Sequence, residues 1–406
     1  MTDLRLLVVS HVAHYRQGDR LFAYGPYARE IDIWADLFRE VVIAAPLQRQ
    51  EAPQDTISFA RQNISVTPQL QTGGSSVFLK AVQLVALPVH VWRLLRAMRE
   101  ADAIHVRCPG NLGLLGCLLA PLWRRPRAAK YAGQWSNYQG EPLTCRWQKR
   151  LLRSRWWGAP VLVYGKRPDQ PSHIVPFFTS IMDEVQMDRA RAAELRDWTK
   201  RPLEVLFVGR LSEAKNVDVI IRAIAQLRGE AEAVRLRVVG DGPMRGALEF
   251  LALSLKVAAR VTFQGAVPQA NVLDFYEQAH VLVLASQTEG WPKAIAEAMA
   301  FGLVCIGTNR GLVPQMLGEG RGLLVEPCNT EALADALRSV LSGPDRAQQI
   351  SERAAAWAQQ FTLERFRDAL RTELESAWKV RLETTTERHG EKQKVESKKR
   401  KETTDH

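Results

Sequence analysis

Cysteine is scarce and unpatterned in this chain. Five occur among 406 residues, at Cys108, Cys117, Cys145, Cys305 and Cys328. None forms a Cys-x-x-Cys pair or a metal-ligand spacing, which excludes a disulfide scaffold or zinc ribbon and fits reduced thiols in a cytoplasmic protein. Long apolar runs are missing too. Nothing reaches the roughly 18–20 consecutive apolar residues of a membrane span, and the nearest stretches, 81–92 and 110–123, read as core or interfacial helices. The segment 1–10 lacks the basic region, apolar run and cleavage site of a signal peptide and reads as a first strand. Acid is short relative to base: 44 Asp and Glu stand against 55 Lys and Arg, a net charge of +11. That balance favours anionic partners such as phosphorylated ligands, anionic lipid or nucleic acid.

What is present is an ordinary globular composition, 46% hydrophobic and 24% charged, long enough for two domains. Short β-branched runs recur at 6–9, 41–45, 103–106, 161–164, 204–208, 234–239, 261–264, 281–284, 304–307 and 322–325. Most are apolar at consecutive positions, as strands buried on both faces are. Helical patterns such as 217–227 and 244–255 lie between them, so parallel sheets flanked by helices follow. We divide the chain into a first α/β domain at 1–178, a second at 179–362, a terminal helix at 363–382 and a polar tail at 383–406 expected to be disordered.

The second half carries the chemistry. A strand runs into Gly209-Arg210, with Lys215 five residues on at a helix start. Glycine lets backbone approach a ligand closely, and the two cations can converge on one anion; solvated cations beside a turn are the bland reading. The next strand ends in Gly240-Asp241-Gly242-Pro243, a tight turn in any protein, but here at a strand end where ligands gather. After the strand 281–284, Glu289 and Glu297 bracket Gly290-Trp291-Pro292-Lys293-Ala294-Ile295-Ala296. Pro292 suits the first helical position, so the N–H groups of Lys293 and Ala294 would open an anion site. Glu297 sits in the apolar setting Ala294–Ala300 and needs a partner if buried.

Taken in order, Phe207-Val208-Gly209-Arg210-Leu211, Lys215, Val239–Pro243, Phe263-Gln264-Gly265, the Glu-x7-Glu block and Gly322–Val325 resemble the C-terminal half of retaining glycosyltransferases of family 4. The resemblance covers 204–330. It implies an α/β chain of GT-B type, two Rossmann-like parallel-sheet domains facing across a cleft, moving a hexosyl-type sugar from a UDP- or GDP-sugar to a glycan or lipid-linked acceptor. It implies that Arg210 and Lys215 hold the donor diphosphate and that Glu297 holds the ribose. Glu289, with the backbone of Gly290, Trp291, Lys293 and Ala294, would meet the transferred sugar. The glycines 209, 240 and 265, and Val267, would border the donor. Two departures stand out: Pro292 replaces a glycine common in the family, and Gln315 replaces a glutamate. No Asp-x-Asp triplet stands where a donor metal would need it, so we expect neither metal nor cofactor, with the cations and helix start meeting the leaving charge.

The first half resembles the family less. Arg107, in Ile104-His105-Val106-Arg107, stands where members carry a second histidine near the reacting sugar. Arginine is no base at neutral pH, but can steady a phosphate or an acceptor, and we count it with Glu289, Arg210 and Lys215 as the catalytic set. His105 fits a structural strand-end histidine, and is counted as an acceptor-side candidate beside that reading. His14, Arg16 and Trp135 are further acceptor-side candidates.

Between 123 and 157 cations interleave with tryptophans, and 146–157 fits a helix lying on an anionic bilayer as well as it fits a solvated basic face. Nucleic acid is not expected, since no recognition motif accompanies the strip. The expected setting is cytoplasmic, peripheral at the inner membrane face, in cell-surface polysaccharide or glycolipid synthesis. Alternatives are a nucleotide-sugar epimerase on the same fold and a non-catalytic basic membrane- or nucleic-acid-binding protein with a vestigial donor site.

Overall fold

In the computed structural model, residues 4–53, 55–70, 77–138, 140–180, 182–194, 196–227, 233–384 and 387 are described. They form two compact units: 1–132 with 137–177 and 366–406, and 133–136 with 178–365.

The first unit holds strands β1 (Arg5–Val9), β2 (His14–Gln17), β3 (Arg20–Tyr24), β4 (Glu40–Gln48), β5 (Thr56–Ser58), β6 (Ile64–Gln69), β7 (Ala103–Cys108), β8 (Arg127–Tyr131), β9 (Val161–Tyr164) and β10 (Ile174–Phe177). They join in the order β10-β9-β8-β7-β1-β4-β2-β3-β5, with β6 also on β4. The strands β1, β4 and β7 to β10 pair in parallel, and β7 and β9 are buried at every position. The segment 11–19 contains β2, which pairs antiparallel with β3. Right-handed crossovers put the helices Val77–Glu100, Asn111–Leu119 and Leu143–Arg153 on one face of this sheet. The helix Gly25–Leu37 precedes β4, on the other side of β1, and so takes the opposite face.

The second unit is a six-stranded parallel sheet of β11 (Leu203–Val208), β12 (Val234–Val239), β13 (Val261–Gly265), β14 (Val281–Leu284), β15 (Val304–Thr308) and β16 (Leu323–Val325). Its order is β13-β12-β11-β14-β15-β16. Chain order reverses between β11 and β14, the place where open α/β sheets bind ligands.

The boundary between units falls at 177/178, and the terminal helix Leu363–Trp378 does not stand apart. From Phe366 it belongs to the first unit, where Trp378 Nε1 donates to Arg127 O at 3.1 Å and Phe366 meets Phe177 edge to face. At the start of the expected tail, Glu387 pairs with Arg371 at 3.1 Å; residues 385, 386 and 388–406 lie outside the described residues. Among the described residues no helix is long and apolar enough to cross a membrane.

Candidate functional site

The loops after β11 and β14 diverge from the switch point and are tied to each other. Asn216, in the left-handed region at φ 48°, donates from Nδ2 to Ala285 O at 3.0 Å, and Gln287 N donates to Ala214 O at 2.9 Å. Asparagine tolerates that conformation better than most residues. These bonds carry Lys215 and Glu289 into contact, with Nζ to Oε1 at 2.6 Å and the two side chains 28% and 11% exposed. Glu289 is pinned from behind as well. Its carbonyl accepts from Leu312 N at 3.3 Å, and Gly311, at φ +59°, lies so close that a Cβ there would stand 1.9 Å from the same oxygen.

Arg210, on the loop that leads to Lys215, is exposed. Gly209 and Gly240 press their loops together: at φ +135°, a Cβ on Gly240 would meet Gly209 O at 1.9 Å. Gly240 N in turn donates to Gly265 O at 2.8 Å, and Val267 beyond it is half-buried. The ends of β11, β12 and β13 are thereby joined along one edge, with a register shift in the β12–β13 pairing at Val238/Val239.

The helix after Glu289 runs Lys293–Ala300, with Pro292 as its N-cap, one position earlier than the sequence suggests. The first intrahelical bonds run from Ile295 and Ala296 to Pro292 O at 3.1 and 3.2 Å, so the N–H groups of Lys293 and Ala294 precede the ladder and point out of the helix start. Gly290 is half-buried. The Trp291 ring packs on Trp357 and Phe361, which leaves its backbone as what it offers a ligand. Glu297 is 6% exposed. Its Oε2 accepts from the Tyr276 hydroxyl at 2.8 Å, and it lines a cavity of about 10 Å³ with Thr179, Ser180 and Lys293, room for about one water molecule. Chemically, a lysine and the N–H groups of a helix start are groups that suit an anion, and carboxylates are groups that accept from hydroxyls.

The first unit corrects several expectations. Arg107 is 8% exposed and engages Glu30 Oε1 at 2.6 Å, while Lys130 Nζ takes Glu30 Oε2 at 3.0 Å. The Arg107 guanidinium lies over the Tyr27 ring at 4.9 Å. Burial opposes its charge, but Glu30 together with Tyr164 and Tyr27 more than offsets that and its pKa is raised. Arg107 is thus a cation committed to the interior, not a group offered to a substrate. Burial brings Lys130 down to about 8. His105 is fully buried, stacks on Trp34 at 4.0 Å and is lowered by burial to about 3.

His14 does not face a ligand either. It is buried at the start of β2, with Nδ1 at 2.9 Å from Val12 O and its ring stacked on Phe59, and burial lowers it to about 4. Trp135 is 2% exposed and offers no open aromatic surface. Arg16 alone of that group is exposed. Glu30 and Tyr276 were not singled out in the sequence; both lie in amphipathic helices with no local mark of their partners.

Residues 189–357 match the family described as glycosyl transferases group 1. Over 191 residues the chain is 35% identical to D-inositol 3-phosphate glycosyltransferase of Rhodococcus jostii, covering 45% of this chain and 42% of that protein. Over 286 residues it is 28% identical to alpha-D-kanosaminyltransferase of Streptomyces kanamyceticus, covering 64% and 73%. The chain thus spans less than half the length of the first of these relatives. Among solved structures, sucrose-phosphate synthase of Thermosynechococcus elongatus superposes with a TM-score of 0.66 at 18% identity, over 90% of this chain and 97% of that one. Anabaena HepE, solved with UDP and glucose, gives 0.64 at 18% identity, over 92% and 100%. Residues 189–357 thus match the glycosyl transferases group 1 family, on a chain of GT-B fold.

Proposed function

We propose that the protein is a retaining hexosyltransferase, moving sugar from a UDP- or GDP-sugar to a glycan or lipid-linked acceptor in cell-surface polysaccharide or glycolipid synthesis. The observation that carries this reading is the Lys215–Glu289 contact at the β11/β14 switch point, next to the start of the helix Lys293–Ala300. Cleaving the donor builds charge on the leaving diphosphate. Arg210, Lys215 and the N–H groups of Lys293 and Ala294 meet that charge without reorganising, which is usually the largest catalytic contribution. Metal and cofactor are then unnecessary, and transfer should survive a chelator. Glu289 orients the sugar, and Glu297 accepts from the ribose hydroxyls. HepE, which has the same fold, was solved with UDP and glucose, and this supports a nucleotide-sugar donor here.

The test is a panel of UDP- and GDP-sugars scored by thermal stabilisation, followed by product analysis with and without glycan acceptors. Stabilisation by one nucleotide and acceptor-dependent product are expected. An altered sugar nucleotide formed without acceptor would make the protein an epimerase, and no stabilisation by any nucleotide would sink the reading.

The acceptor partner we propose is presented at an anionic membrane. On the helical face of the first unit, Leu143 and Trp147 are 69% and 67% exposed, among exposed Arg146, Arg150 and Arg155. Trp92 and Leu122, in or just after neighbouring helices of that unit, are exposed as well. Exposed Trp and Leu amid arginines suit a bilayer interface. Sedimentation with anionic vesicles, lost in high salt and in Leu143→Ser with Trp147→Ser, is expected; equal sedimentation with neutral vesicles contradicts the charge argument.

A further inference from the structure

The Tyr276 hydroxyl and the Glu297 carboxylate meet at 2.8 Å, both inside the second unit. Tyr276, on the helix Gln269–Gln278, is fully buried, and its ring stacks on Phe301 at 5.9 Å. Arg196 fastens the backbone of both ring partners, donating to Tyr276 O at 2.6 Å and also to Phe301 O and Ala279 O. The tyrosine therefore has one place to put its hydroxyl. Burial and the adjoining carboxylate push its pKa far up, so it stays a neutral donor at any working pH.

A glutamate has three rotatable bonds, and a carboxylate that accepts from a ligand must be held in one rotamer to discriminate between ligands. We propose that Tyr276 is the positioning residue for Glu297 and thereby sets selectivity for ribonucleotide over 2′-deoxyribonucleotide donors. This rests on Glu297 as the ribose-binding carboxylate. The bond from Tyr276 fixes the plane of the carboxylate, and the vicinal diol finds its acceptor already aimed. A 2′-deoxy nucleotide makes one bond fewer and leaves that acceptor unmatched, the situation that gives polar sites their discrimination.

The experiment is calorimetric titration with UDP, 2′-deoxy-UDP, GDP, 2′-deoxy-GDP and inorganic pyrophosphate, on wild type, Tyr276→Phe and Glu297→Gln. With the base that wild type prefers, the ribo form should bind about 10–100-fold tighter than the deoxy form, the range of one hydrogen bond to a charged group. Tyr276→Phe keeps the ring and its stacking on Phe301. It should bring that ratio below about threefold, with deoxy-nucleotide and pyrophosphate affinities unchanged. Glu297→Gln, which retains an acceptor for Tyr276 and so guards against a folding artefact, should also compress the ratio and spare pyrophosphate. A ratio that stays at the wild-type value in Tyr276→Phe overturns the proposal. So does a uniform weakening of all five ligands, which is what a purely structural tyrosine would give. A wild type without ribo preference would instead strike at the ribose role of Glu297 itself.

Discussion

Lys215 Nζ rests 2.6 Å from Glu289 Oε1, so the cation and the carboxylate that would serve opposite ends of a donor neutralise each other. A diphosphate must compete with Glu289 for Lys215. Lys215→Ala should weaken nucleoside diphosphate binding by about tenfold or more, the range of a charge-assisted hydrogen bond. Glu289→Gln should leave that affinity equal or tighter, since Lys215 is released, while transfer falls. Parallel titration and turnover measurements check this; equal losses of nucleotide affinity in both variants would contradict it.

The close approach of Gly240 to Gly209 O makes a second prediction. A methyl at 240 would need to occupy space 1.9 Å from that oxygen, at a φ of +135° that side chains avoid. Gly240→Ala should destabilise the second unit by about 2–4 kcal/mol and abolish donor binding, because three strand ends must shift together. Gly246→Ala, where a Cβ meets nothing within 4 Å, is the control and should melt at or above wild type. Similar melting points for the two variants would remove the argument.

What the sequence reveals divides by range. Strands such as β9 and β14 could be read to the residue because every position is buried and apolar. Glu289 and Lys215 were legible as members of patterned loops at strand ends. The β2–β3 hairpin was not, because His14-Tyr15-Arg16-Gln17 carries only one fully buried position and mimics a polar loop. Lys130 reads as a surface cation until Glu30, a hundred residues earlier, is brought against it by the helix Gly25–Leu37. Tyr276 is hidden for the same reason: its partner lies one crossover away.

The Glu30 cluster ranks three variants. One carboxylate holds two buried cations, Arg107 and Lys130. Glu30→Ala leaves both without it and should destabilise the first unit by about 3–5 kcal/mol, the usual result of breaking a buried pair. Arg107→Met leaves Glu30 with Lys130, a balanced pair, and should destabilise by less than half as much. Lys130→Met should fall between them, since its ammonium is the more deeply enclosed. Urea midpoints give the order; an Arg107→Met loss as large as that of Glu30→Ala would show that the charge balance is not what governs the cluster.

Among the buried histidines, three with strongly lowered pKa values set an acid limit. Burial lowers His14 and His280 to about 4 and His105 to about 3, from 6.5. In the unfolded chain each takes up a proton near 6.5, while in the fold each stays neutral well below that. The unfolded state therefore binds more protons between these values, and stability falls as pH falls. Their contribution is complete above about pH 6.5 and drains away from there down to about 4, where His14 and His280 titrate, and on to about 3 for His105. His105→Phe keeps an aromatic ring against Trp34 and removes one of the three titrations. Its melting temperature should decline less steeply than wild type between pH 6.5 and 4, with the curves converging toward acid. Parallel curves over that interval would mean that His105 is not neutral in the folded protein.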